Sequence, residues 1–431
     1  MVLLFKWHTM QIDYILTFLQ APVEHDNIYM KILQGFKVQD GSNPEEWVLH
    51  LKKNVYGMVQ ASRVWNKYLV SKLQKAGFKQ SKMDECLFFR GSCIYILYTD
   101  DSILAAPTKQ ETEAAIAAIQ EQGLEITIEG DIGDFLGVKI ERNKDGSYSL
   151  TQPQLIDSIL QDLNLQGDNV TTKNMPSAKS KLLRRFTDSP AFDNHFHYRS
   201  VIGKLNFLEK STRSDIAYAV HQCARFSSDP RKPHGDAVTW TGRYLKSTKD
   251  QGLVLRPTKQ SFEVYADSDF AGAWNKEDAP DDPDTARSRT GYVIFYAGCP
   301  IVWKSKMQTT IALSTTEAEL LSMSEALREA IYLMNLIKEI RDQGFNLTAL
   351  TPTIHCQTFE DNAGAIETVK VPKFRPRTKH MNTSWHHFGH HVERGDISVH
   401  KIDSEDNCAD TLTKAQPLDL FLKHRKVIQG W

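Results

Sequence analysis

Residues 94–105, Ile-Tyr-Ile-Leu-Tyr-Thr-Asp-Asp-Ser-Ile-Leu-Ala, constrain the fold more than any other stretch. An apolar run rich in β-branched and aromatic residues is broken by two adjacent carboxylates, Asp100 and Asp101, so the pattern predicts two strands that reverse at the acids. Neighbouring carboxylates repel unless water or a cation screens them, and hard oxygen donors of this kind suit Mg²⁺. On these letters alone a plain turn accounts for the pair. What raises the metal reading is a third carboxylate, Asp13, set inside another apolar run at residues 10–19.

Three pieces in order carry a resemblance. Asp13, the segment Leu-Lys-Lys-Asn-Val-Tyr-Gly-Met-Val-Gln-Ala-Ser-Arg-Val-Trp (51–65) and the Tyr-Thr-Asp-Asp turn (98–101) resemble the palm of a copia-type retrotransposon reverse transcriptase. The resemblance implies that Asp13, Asp100 and Asp101 hold two Mg²⁺, with Mn²⁺ as the substitute, which activate a primer hydroxyl and stabilise the leaving pyrophosphate. It places Phe18 beneath the sugar of the incoming nucleotide, where such a ring excludes a 2′-hydroxyl, and Gln60 against the nucleotide. Read without the family, Phe18 is a core aromatic and Gln60 a helix cap. This chain has Thr17 where the family has alanine, Val59 where it has a basic residue, and Ser62 where it has proline. The family also places a fingers region before the first aspartate, and twelve residues precede Asp13 here, so the expectation is that this chain alone does not extend a primer.

The composition bounds the rest. With 431 residues and 41% hydrophobic content there is material for two or three packed domains. Six cysteines are scattered without a Cys-x-x-Cys pair, which argues against a disulfide framework and against a cysteine zinc site, and fits a reducing, intracellular location. Lys6 ends the apolar run at residues 2–5, leaving neither a signal peptide nor a membrane span. The net charge of −1 is not that of a chain built to track phosphates, but residues 151–250 carry 15 Lys and Arg against 10 Asp and Glu, a local +5.

Along the chain, helices are predicted at residues 64–76, closed by Gly77, and from the capping box Thr108-Lys-Gln-Glu111 to about residue 122. Residues 134–142 alternate as a strand. From residue 151 the texture becomes helical, with helices predicted at residues 198–209, 215–227 and 236–247. The phrases at residues 198–205 and 213–220 resemble the region between polymerase and nuclease in copia-type elements, although Ser214 stands where the family has proline.

A second constellation begins at residue 262. Asp267 ends a strand-like run, and Ser314-Thr-Thr-Glu317 is a capping box that gives Glu317 a structural duty and leaves Glu319 on another face of the helix. The phrases Ala-Asp-Ser-Asp-Phe-Ala-Gly (266–272), Leu-Ser-Thr-Thr-Glu-Ala-Glu-Leu (313–320), Glu-Asp-Asn-Ala-Gly-Ala-Ile (360–366), Arg-Thr-Lys-His (377–380) and Ala-Asp-Thr-Leu-Thr-Lys (409–414) resemble, in order, ribonuclease H of the same elements. The resemblance implies that Asp267, Glu319, Asp361 and Asp410 hold two further Mg²⁺ ions, and that Lys379 and His380 contact phosphate. His386, His387, His390 and His391 have helical spacing but lack a completing carboxylate, and are read as a solvated face.

The expected architecture is a multidomain α+β and α/β protein. Residues 1–150 form a polymerase palm of antiparallel sheet and helices, residues 151–255 a helical thumb or connection, and residues 260–431 an independently folding ribonuclease H-like mixed sheet with flanking helices. The expected activity is RNA-directed DNA polymerisation joined to cleavage of RNA in RNA-DNA hybrids. The partners are then RNA template, DNA primer, hybrid and deoxynucleotide triphosphates, with no membrane. The alternative is a relic that binds nucleic acid without turnover.

Overall fold

The computed structural model describes residues 1–36, 43–178, 182–258, 262–277, 279–280, 282–345, 347, 354–370 and 387–431. The chain divides into two compact units, Met1–Ile132 with Glu339–Phe345, and Gly133–Lys338 with Asn346–Trp431.

The first unit is built on a six-stranded antiparallel sheet ordered Lys79–Gln80, Leu87–Arg90, Cys93–Tyr98, Asp101–Ala106, His8–Tyr14, Ile126–Gly130. Alternation decides which face is buried. Tyr95 and Leu97 point into the core, whereas Ile96 and Tyr98 on the same strand stay about half exposed. The inward face is covered by the helices Ala61–Lys75 and Lys109–Gln120, which deliver Trp65, Leu69, Leu73, Ile116 and Ile119 to one apolar cluster. Burying side chains of this size contributes about 1.5–3 kcal/mol each. The second helix opens with the predicted capping box, Thr108 accepting from the Glu111 amide and Glu111 from the Thr108 amide.

In the second unit a four-stranded sheet runs Leu253–Leu255, Tyr148–Thr151, Val138–Arg142, Asp134–Phe135. Residues 134–142 are therefore two strands and not one. Phe135 pairs with Val138 across a two-residue turn whose Leu136 and Gly137 both have positive φ, the backbone that matches strand twist. Leucine is a rare residue in that conformation, which is why the alternation looked unbroken. Helices Pro153–Asp162, Tyr198–Ser211, Ala217–Ala224 and Lys232–Ser247 form a layer around Ile156, Ile159, Val201, Leu205, Val220 and Leu245. Two differ from the sequence expectation. The third helix begins as a 3₁₀ turn at Ser214–Ile216, and the fourth starts earlier because Pro233 is suited to a first turn.

The same unit holds a five-stranded mixed sheet ordered Cys299–Met307, Arg289–Tyr296, Phe262–Asp269, Cys356–Glu360, Ile397–Lys401. Its first three strands pair antiparallel, and Phe262–Asp269 pairs parallel with Cys356–Glu360, which in turn pairs parallel with Ile397–Lys401. The long helix Thr315–Asp342 covers one face through Leu320, Met323, Leu327 and Met334. On the other face Val293 and Phe295 pack with Ala217, Leu412 and Ile428. The last helix, Leu418–Gln429, sends Phe421 into the core of the helical layer, so residues 262–431 share a core with the helices that precede them.

A buried ion pair strengthens that sharing. Arg213 donates from Nε and Nη2 to the two oxygens of Asp215, both at 2.9 Å, and to the Thr248 carbonyl and hydroxyl. Tyr244 donates to Asp215 at 2.6 Å, and Arg425 of the last helix lies 3.9 Å above the Trp431 ring, which also faces Arg213. A buried pair of this kind is tolerated because four N–H groups of the guanidinium and both carboxylate oxygens are hydrogen-bonded. All six cysteines are free, five of them buried, and no described helix is long and apolar enough to cross a membrane.

Candidate active sites

The hairpin of residues 94–105 forms as expected. Tyr98 pairs with Asp101, leaving Thr99 and Asp100 as the two-residue turn, and Thr99 has a φ of 57°. The Trp65 indole donates to the Thr99 carbonyl at 2.8 Å, which pins the turn to the helix beneath it. Asp13 lies directly across the ladder from Asp101, so strand pairing alone brings two of these three acids side by side. A buried chain of hydroxyls, Tyr14 to Tyr95 at 2.8 Å and Tyr95 to Ser102 at 2.7 Å, fixes the three strands behind them. Burial raises the pKa of Asp13, helped by the charges of Asp100 and Glu129. Phe18 is half-buried against the core with its ring 4.8 Å from Tyr56, and Gln60 occupies the N-cap of its helix without a side-chain capping bond.

The second acid set converges more tightly. Asp267 lies near the end of the central strand, opposite Gly291. Asp361 follows the parallel neighbour strand, so both acids emerge at the same carboxyl-end edge of the sheet, where ligand crevices form in such sheets. Glu319 projects from the first turns of the long helix. Its neighbour Glu317 caps that helix as expected: Ser314 Oγ accepts from the Glu317 amide at 3.2 Å, and Glu317 accepts from the Leu313 amide at 2.8 Å.

Two glycines permit the approach. A Cβ on Gly364 would lie 2.6 Å from Thr316 Oγ1, so only glycine lets the helix Ala363–Lys370 start against the long helix. A Cβ on Gly291 would lie 2.6 Å from Thr413 Cγ2, and its absence admits the segment carrying Asp410.

One carboxylate oxygen each from Asp267, Glu319 and Asp361 lie within 4.8 Å of one another. Among the described residues this is the acidic trio with cation-binding spacing. Asp410 stands beside the trio: its Oδ1 is 2.9 Å from Lys414 Nζ, and Thr413 donates its hydroxyl to Asp267. Ser404 donates to Asp361 at 2.6 Å, and Asn362 caps the following helix by accepting from the Ala365 amide. Burial, then the charge of Asp410, pushes the Asp267 carboxyl up to about 7. Burial, then Glu360, holds Glu319 far above the carboxylate range.

Glu360 is a site-facing acid that the sequence reading missed. Burial pushes it up to about 8, and like Glu319 it keeps one buried oxygen without a hydrogen-bond partner. The strand's alternation, with Cys356, Thr358 and Glu360 inward, was the signal available. Lys414, read only as part of a phrase, is the second omission. The three converging hard oxygens, with a buried unpartnered oxygen on Glu319 among them and another on neighbouring Glu360, fit a divalent cation such as Mg²⁺ or Mn²⁺. Lys379, His380 and His386 lie outside the described residues. Of the other histidines, His391 bonds Asp396 at 3.1 Å, and none of the described ones joins the acidic trio.

A family model described as reverse transcriptase (RNA-dependent DNA polymerase) matches residues 3–178. The chain is 29% identical over 422 residues to a retrovirus-related Pol polyprotein from transposon TNT 1-94 of Nicotiana tabacum, covering 95% of this chain and 30% of that protein. It is 31% identical over 416 residues to the Pol polyprotein from transposon RE1 of Arabidopsis thaliana, covering 95% of this chain and 26% of the relative. A putative transposon Ty5-1 protein of Saccharomyces cerevisiae is 30% identical over 311 residues, 70% of this chain and 95% of that protein. This chain thus spans under a third of the two plant polyproteins. On these matches the chain belongs to the copia-type retrotransposon Pol polyprotein family, and its first part to that family's reverse transcriptase.

Proposed function

We propose that the second unit hydrolyses the RNA strand of an RNA-DNA hybrid at the site formed by Asp267, Glu319, Asp361 and Asp410, and that the hairpin of the first unit, with Asp13, Asp100 and Asp101, is a polymerase palm acting on template, primer and deoxynucleotide triphosphates. The observation that carries the nuclease reading is the convergence of three carboxylates from a strand end, a helix start and a neighbouring strand end within 4.8 Å. Asp267, Glu319, Asp361 and Asp410 would hold the divalent cations, Mg²⁺ or Mn²⁺, whose Lewis acidity would lower the pKa of an attacking water and offset the charge on the departing 3′-oxygen. The side chains do the rest. Asp267, Glu319 and Asp361 orient the ligand oxygens, Ser404 and Thr413 hold two of those carboxylates by donating to them, and burial keeps the acids from spreading their charge into water. Selection of RNA over DNA rests on the 2′-hydroxyl in the shallow groove of an A-like hybrid.

For the palm, the supporting observation is the direct cross-strand pairing of Asp13 with Asp101 beside Asp100. Phe18 and Gln60 are the proposed nucleotide contacts, Lys379 and His380 the proposed phosphate contacts of the nuclease. The test of the nuclease reading is a Mg²⁺-dependent cleavage assay on a hybrid labelled in its RNA strand. Cleavage lost in Asp267→Asn with hybrid binding retained supports it. A chain that binds hybrid and never cuts is the relic.

A further inference from the structure

We infer that His234 is a proton-operated latch: with a neutral ring it clamps residues 183–192 onto the start of the helix Lys232–Ser247, and protonation of the ring releases them. The ring is buried, and both of its nitrogens are committed. Nδ1 accepts from the Arg231 backbone amide at 2.8 Å, and since an amide N–H only donates, Nδ1 carries no proton. The proton of the neutral ring is therefore on Nε2, which donates to the Arg184 carbonyl at 2.7 Å. His234 thus closes a capping box from the third position of its helix, a place that glutamate or glutamine usually fills. Histidine differs from both in that it gains a second proton close to neutral pH. Nδ1–H would then face the Arg231 N–H across 2.8 Å, so the imidazolium has to leave its seat.

The clamped residues are held at both ends and strained between them. At one end the Phe192 amide donates to the Pro230 carbonyl at 3.1 Å and the Lys232 amide to the Pro190 carbonyl at 3.0 Å. At the other end the His234 ring holds Arg184, and it lies 4.0 Å from the Phe226 ring with the two planes 6° apart. Between them Phe186 has a φ of 50°, left-handed backbone that a residue with a Cβ adopts at a cost, so these residues relax once the ring lets go. Release has a defined consequence. Leu183 lines a cavity of about 230 Å³ between the helices Ala217–Ala224 and Lys232–Ser247, and Arg185 and Thr187 line a second of about 370 Å³ beside Phe226. Each cavity loses part of its wall when the latch opens. The surroundings of the ring set the direction in which pH acts. Burial lowers its pKa below the ordinary 6.5; the Arg184 carbonyl and, from the turn before the helix, Asp229 oppose this, while Arg231 and, from the end of the preceding helix, Arg225 add to it. The latch therefore contributes its full stability above about pH 6.5 and loses it as pH falls below that value.

The test is hydrogen exchange of the full chain, read by mass spectrometry over residues 183–192 at about pH 7.5 and about pH 5 and divided by the intrinsic exchange rate at each pH. In the parent the corrected rate should rise more than about threefold at the lower pH, within the ceiling of roughly thirtyfold set by a fall of about 1.5 pH units below the ordinary histidine pKa. His234→Gln keeps an acceptor and a donor on a side chain that does not ionise, so its corrected rate should stay level. His234→Ala should exchange fast at both pH values. Should the Gln variant not fold, the nitrogen-15 shifts of labelled histidine in the parent decide alone: the ring should show the Nε2–H form when neutral and titrate below 6.5. A parent rate that does not rise, an equal rise in His234→Gln, or a neutral ring protonated on Nδ1 overturns the inference.

Discussion

Glu317 and Glu319 stand two residues apart and do different things. Glu317 closes the start of the helix by accepting from the Leu313 amide, so Glu317→Gln should cost about 1 kcal/mol of stability and leave cleavage intact. Glu319→Gln and Asp361→Asn each remove an oxygen from the converging trio and should abolish cleavage in the same assay. If Glu317→Gln stops turnover while Glu319→Gln spares it, the assignment is reversed. The pH dependence of stability belongs to the same residues. Asp267, Glu360 and Glu319 have folded-state pKa values above the ordinary carboxylate range, so between that range and about pH 8 the folded state binds more protons than the unfolded one. Their contribution is present at low pH and is lost as pH rises through about 7 and about 8. Urea midpoints in chelator should therefore fall between about pH 5 and about pH 9, and Mg²⁺ should restore them, because the cation binds the ionised acids. A midpoint that rises over that range in chelator would contradict this account. The sequence pointed to the four acids through the family phrases that carry them, and the structure brings three of them, Asp267, Glu319 and Asp361, within 4.8 Å. It did not identify Glu360, the last residue of its strand, because Asp361 beside it carried the family match and the inward alternation of Cys356, Thr358 and Glu360 shows only once the sheet is assembled.

At the scale of elements, alternation and capping were legible and tertiary partners were not. The two strands of residues 94–105 could be read because β-branched and aromatic residues flank a charged turn, and the Thr108 cap because Glu111 follows at the right spacing. The turn at Leu136 and Gly137 escaped because its first residue carries no turn signal. The Arg213–Asp215 pair escaped because nothing in a local phrase shows that Tyr244, Thr248 and Trp431 close around it. Asp215→Ala should be expensive, about 3–5 kcal/mol in urea unfolding, because it strands a buried guanidinium. Replacing Arg213 and Asp215 together by apolar residues should cost less than the single change. In the first unit, Trp65→Phe keeps most of the buried ring but removes the donor to Thr99, and should cost about 1 kcal/mol.

At the scale of the molecule, the family phrases run in order from Asp13 to Lys414, yet phrase order does not show which segments share a core. Phe421 packs among helices of residues 153–247, Leu253–Leu255 pairs with Tyr148–Thr151, and the Trp303 indole donates to the Glu209 carbonyl at 2.7 Å. A fragment beginning at residue 133 should therefore unfold cooperatively and at higher denaturant than one beginning at residue 262. Equal midpoints for the two would show that the helical layer adds nothing to the stability of the five-stranded sheet and its helices. The central claim is that the acids gathered around Asp267 cut RNA paired to DNA. The most direct measurement is cleavage of a hybrid labelled in its RNA strand by the full chain, with Mg²⁺ and with chelator, beside Asp267→Asn. Cutting that requires Mg²⁺ and vanishes in the variant, while the variant still binds hybrid, is the predicted result; Mg²⁺-independent cutting, or undiminished cutting by Asp267→Asn, would contradict it.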